Sequence, residues 1–149
     1  MRISETDQAT IDAARAILAR RVKRGANLTS PLVVRDYLTL HLSERHAEVF
    51  CVLYLDNRHR LIEFSEAFQG TIDGSSVHPR EIVKAALANN AAAVIFAHNH
   101  PSGVAEPSTA DEMITQRLKA GLALVDIRVL DHLIVAGGDC VSLAERGVL

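Results

Sequence analysis

The chain has no tryptophan, few aromatics (4%), two cysteines and no marked excess of either charge. Each shortage narrows what the protein can do. Nucleic acids are held by a concentrated basic field and by aromatic stacking. Sixteen basic against 18 acidic residues, a net charge of −2 and a pI near 6.4 provide no such field, so no strong nucleic-acid binding is expected. Cys51 and Cys140 are too far apart for a Cys-x-x-Cys metal or redox motif and too few for a disulfide framework. Both are expected as small buried apolar residues. No apolar run approaches the ~18 residues of a membrane span. The first 24 residues mix acids with bases, unlike a secretory leader. The expectation is a cytoplasmic protein with no membrane partner.

What is present is apolar mass: 48% hydrophobic residues in 149 positions, enough for a single domain that folds on its own core. The most informative stretch is His98-Asn99-His100-Pro101-Ser102-Gly103, followed by Glu106-Pro107-Ser108-Thr109-Ala110-Asp111. Before it, Ala91 to Ala97 is an apolar run too short for a comfortable helix and reads as a buried strand. Residues two apart in a strand share a face, so His98 and His100 leave its end on one side. Pro101, Ser102, Gly103 and Pro107 make a rigid connection. Ser108 with Asp111 then reads as the N-cap and first-turn acid of a new helix. That turn can bring Asp111 back to the histidines. His98, His100 and Asp111 plus a water is the pattern of catalytic zinc, whereas structural sites close with four protein ligands. A plain helix cap is the other role open to Ser108 and Asp111, and the two roles are compatible.

His-x-His, seven residues, Ser, two residues and Asp resembles the JAMM (JAB/MPN) metalloprotease motif. The residues HNHPSG with EPSTAD are similar to the RadC family within it, as is the run from about Ser30-Pro31 through VHPREIVKAALANNAAAVIFAHNHPSG to LDHLIVAGGDCVSLAERGVL. The resemblance implies an α/β fold, a mixed β-sheet sandwiched by helices in the JAB/MPN architecture related to cytidine deaminases. It spans residues 1–149 as one domain, with residues 1–25 as a peripheral N-terminal helix. It also implies a Zn2+-dependent hydrolase acting on a peptide or isopeptide bond in an unidentified peptide or protein substrate. Two departures enter the expectation: a short form without the helix-hairpin-helix segment of longer RadC proteins, and Val104 at a loop position where an acid is expected.

Along the chain, residues 4–23 have helical apolar spacing (Ile11, Ala14, Ile17, Leu18, Val22) with acids early and bases late. Ser30-Pro31 opens a second helix to Leu42. Glu48 to Leu55 and Arg60 to Ala67 read as a hairpin, its first strand apolar on both faces and hence central. Gly70 to Ser76 reads as a polar loop, and Pro79 opens a helix to about Asn90 burying Ile82, Val83, Ala86 and Leu87. Strand, helix and strand then suggest a crossover with neighbouring parallel strands. The helix after Ser108 is expected to stop near Gly121. Leu124 to Leu130 reads as a strand, and Leu133 to Val141 as a closing hairpin.

Glu48, an acid entering a buried strand, is by itself readable as an exposed strand-end residue. By its match to the upstream JAMM glutamate it becomes the candidate general base, ahead of Glu63, Glu66 and Glu81. The Ser108 hydroxyl is a candidate oxyanion donor. His132 reads as a strand histidine, with a supporting role beside the ligands as the alternative. A DNA-repair-associated or nucleic-acid-binding accessory role, attached to the RadC name, is the rival function; charge and aromatic content weigh against it. A zinc nucleobase deaminase would need His-x-Glu and Pro-Cys-x-x-Cys, and neither occurs. A non-catalytic scaffold is disfavoured because every motif residue is present.

Overall fold

A computed structural model describes residues 2–28, 30–70 and 77–149. Two strands apolar on both faces need cover on both sides, and the fold supplies it. Strands β1 (Val49–Leu55) and β3 (Ala93–Asn99) are buried at every position. They lie inside a five-stranded sheet that also contains β2 (Leu61–Gln69), β4 (Arg128–Ala136) and β5 (Asp139–Ser142), in the order β2-β1-β3-β4-β5. One face packs on α2 (Pro31–Leu42) through Val34, Leu38 and Leu42 against Cys51, Leu53, Leu55, Ala97 and Val135. The other packs on α3 (Pro79–Ala88) and α4 (Thr109–Ala123) through Ile82, Ala86, Ile114, Leu118 and Leu122 against Phe50, Val52, Tyr54, Val94 and Phe96. This is the expected mixed sheet sandwiched by helices. Period-two alternation on β3 therefore sends Val94, Phe96 and His98 toward α4, and Ile95, Ala97 and Asn99 toward α2.

Helix α1 (Glu5–Arg21) has the capping Ser4 and the charge polarity expected of it, yet buries no residue, and Ile17 is half exposed. It is attached to α2 by Arg15, whose Nε donates to the Leu40 carbonyl at 2.7 Å. Only Val22, just beyond its end, enters the core. Cys51 is buried as expected, and its thiol is pushed up to about 12 by burial, with the Glu66 charge adding to the effect. Cys140 is only half-buried, and both cysteines are free.

Three expectations need correction. The α3 crossover joins β2 to β3, but these are not neighbours: β1 lies between them, antiparallel to both. The parallel pair is β3–β4, joined through α4. Helix α4 ends at Ala123, near Gly121 as expected, and Gly121 faces Pro79 and Val83 of α3. The chain turns later, at Asp126 in a left-handed conformation (φ 60°), so Leu124 to Ile127 is not strand and β4 runs unbroken through His132. On α3, Leu87 points outward and is 55% exposed. The loop read at Gly70 to Ser76 lies, after Gly70, outside the described residues.

Candidate metal centre

Strand β3 ends with His98 fully buried, and His100 follows one residue past the strand, its amide donating to the Val135 carbonyl at 2.8 Å. Helix α4 begins at a capping box. The Asp111 amide donates to the Ser108 hydroxyl at 3.0 Å, and the Ser108 amide returns a bond to Asp111 Oδ2 at 2.8 Å. Capping turns the Asp111 side chain back over the helix start, toward β3. Its Oδ1 lies 3.1 Å from His98 Nε2 and its Oδ2 3.0 Å from His100 Nε2, while the two Nε2 atoms are 3.0 Å apart. The three residues thus offer two imidazole nitrogens and one carboxylate, all within 4.8 Å of one another. Two nitrogens and an oxygen in one small pocket fit a divalent metal of the zinc type.

Burial alone would raise the Asp111 carboxyl, but the hydrogen bond and charge of His98, then the bonds from Ser108, outweigh it and hold the group well below the usual carboxylate range. The helix N-terminus acts in the same sense. Asp111 is therefore ionised, as a ligand must be.

Around this cluster the sequence reading was incomplete. His132 is not an incidental strand histidine: it is fully buried, and its Nε2 lies 2.7 Å from His98 Nδ1. Its other nitrogen, Nδ1, is 2.6 Å from Thr115 Oγ1. Burial, then the nearby charge of His98, push the His132 pKa well below the ordinary imidazole range. Thr115 carried no sequence signal, and its partner is 17 residues away on another element. Val104, where an acid was expected, is 62% exposed, and its backbone carbonyl accepts from His100 Nδ1 at 2.8 Å. That contact does not depend on the side chain.

Asn99 points to the opposite face from the histidines and bridges the segment before β1. Its Oδ1 accepts from the Val49 amide at 2.7 Å, and its Nδ2 donates to the Ala47 carbonyl at 3.0 Å. These bonds hold the backbone on either side of Glu48. In the β1–β3 register Phe50 stands opposite His98; continued two residues beyond the paired strands, the same register would set Glu48 opposite His100. The other acids are engaged elsewhere. Glu66 accepts from Arg45 at 2.7 Å and lies 2.8 Å from His41, Glu81 sits 3.9 Å from Lys84, and Glu63 is exposed on the edge strand β2. Beside His100 a groove of about 630 Å³ is bordered by Arg45, His46, Asn99, Pro101 and Gly103.

The chain matches a family model described as the RadC-like JAB domain over residues 28–148. It is 62% identical over 142 residues, 95% of its length, to a protein of Nitrosococcus oceani and equally to one of Cellvibrio japonicus. Against one from Halorhodospira halophila the identity is 58% over 142 residues. All three carry the name UPF0758 protein, and the chain spans 63% of the length of each. The matched region contains His98, His100 and Asp111, the capping box and the buried strands that position them, and by this match and these identities the chain belongs to the RadC-like JAB domain family.

Proposed function

We propose that the domain is a zinc-dependent hydrolase of the JAMM type that cleaves a peptide or isopeptide bond, with His98, His100 and Asp111 holding the metal. The observation that carries this reading is the convergence of two Nε2 atoms and an ionised carboxylate at about 3 Å on a strand end and a helix start. Three protein ligands leave a position for water, which distinguishes a catalytic site from a structural one. When bound, zinc supplies the Lewis acidity that brings the pKa of a water near 7. Glu48, which precedes β1 just before the Phe50–His98 pair, takes the proton of the attacking water and delivers it to the departing amine. The Ser108 hydroxyl accepts from the Asp111 amide and so keeps its own hydrogen to donate to the oxyanion forming on the attacked carbonyl.

The test begins with a library of peptides and isopeptides, products being read by mass spectrometry. On a substrate so found, Glu48→Gln keeps its zinc and fold while kcat falls at least about a hundredfold. His98→Ala loses metal and activity together. A Glu48→Gln protein that cleaves at the wild-type rate removes Glu48 as the base.

A further inference from the structure

We propose that Thr115 and His132 form a relay that fixes the proton position on His98 and so aims its Nε2 lone pair at the metal; this rests on the metal centre proposed above. The reasoning starts at the hydroxyl. Thr115 Oγ1 lies 2.7 Å from the Asp111 carbonyl and 2.6 Å from His132 Nδ1. A carbonyl can only accept, so the single hydroxyl hydrogen is donated there. The threonine oxygen then has only lone pairs to offer, and His132 Nδ1 must carry a hydrogen. His132 is fully buried, where an imidazole is neutral, so its Nε2 is bare. That Nε2 faces His98 Nδ1 at 2.7 Å, which makes His98 the donor at Nδ1, so that in the neutral ring a metal ligand must be, Nε2 is the nitrogen left without a hydrogen.

His100 reaches the same state by a shorter route, because its Nδ1 faces the Val104 carbonyl at 2.8 Å. With both rings neutral, as metal binding requires, both Nε2 atoms present lone pairs toward the Asp111 carboxylate, an arrangement that a cation between them stabilises. The relay also closes a ring. Thr115 stands one turn after Asp111 on α4 and bonds its carbonyl, so the partner that orients one ligand also grips the backbone of another. A neutral imidazole without such a partner can place its proton on either nitrogen, and the Nε2–H form cannot ligate through that atom. Thr115 and His132 are positioning residues, acting on the metal only through His98.

Thr115→Val keeps the shape and removes the hydroxyl, Thr115→Ser restores it, and His132→Phe removes both nitrogens. Zinc affinity is measured by competition with a chromophoric chelator, folding by circular dichroism. Imidazole nitrogen chemical shifts are read with 15N-histidine, metal-free and zinc-loaded. The expected result is a zinc Kd about 10–100-fold weaker in Thr115→Val and His132→Phe, recovered in Thr115→Ser. In the wild-type spectra His98 and His132 should each be protonated at Nδ1, a pattern that Thr115→Val loses at His132. Wild-type zinc affinity in folded Thr115→Val, or a wild-type His132 protonated at Nε2 alone, overturns the relay. If the wild-type protein takes up no zinc, the metal reading fails, and the nitrogen shifts of the metal-free protein still decide the relay.

Discussion

Asp111 turns one carboxylate toward two histidines and toward the start of its own helix. Because its folded pKa is lowered, its contribution to stability is fully present above the unfolded aspartate value of about 3.9 and is lost as pH falls through the lower folded value. Asp111→Asn, studied with chelator present, should therefore be less stable than wild type at neutral pH. The gap should close as pH drops below about 4. Urea unfolding from pH 7 to 2 measures it, and a gap constant to the acid end would show that the carboxylate is not held ionised by these contacts. At this scale His98, His100, Asp111 and Ser108 were legible because their spacing is local. His132 was not, since the group that defines its role is 34 residues away in sequence. Asn99 was readable only as a residue facing away from the histidines; its grip on the backbone around Glu48 spans 50 residues.

Helix α4 carries the weight of the centre among the elements. Its N-terminal capping box is also the device that orients Asp111, so stability and geometry are linked at Ser108. Ser108→Ala should cost about 0.5–2 kcal/mol, the usual range for a lost N-cap, measured by urea denaturation of the metal-free protein. Ser108→Asp, which keeps an acceptor for the Asp111 amide, should recover most of it. An alanine variant as stable as wild type would mean that the cap contributes nothing. Helix starts at Ser4 and Ser108, which cap, and at Pro31 and Pro79, which open the first turn without a side-chain cap, could be read from sequence because these signals are local. The run Leu124 to Ile127 misled for the opposite reason. Its apolar residues imitate a strand, while the left-handed Asp126 and the packing of α4 on α3 make it a helix end and turn. Helix α1 buries no residue, since apolar spacing allows burial but only a facing surface provides it.

In the whole molecule, the candidate ligands gather where β3 ends beside its parallel neighbour β4 and where α4 begins. In open α/β sheets, groups beyond the strands' carboxyl ends form the site. The sheet order could not be read from sequence: the crossover through α3 was visible, but the strand that separates β2 from β3 is set by packing of doubly apolar faces, with no local signal. The near balance of charge leaves no large net positive charge, and no helix among the described residues is long and apolar enough to cross a membrane. The chain spans 63% of its relatives' length, so the substrate of the longer proteins belongs with the proposal above. Zinc uptake tests the centre most directly. Protein purified without chelator and dialysed against zinc should hold about one ion per chain by elemental analysis. Its melting temperature should rise with added zinc, corresponding to about 2.7 kcal/mol at a free concentration a hundred times Kd, and His100→Ala should lose both the ion and the rise. A folded wild-type protein that binds no zinc, or a His100→Ala variant stabilised as strongly as wild type, would contradict the proposed centre.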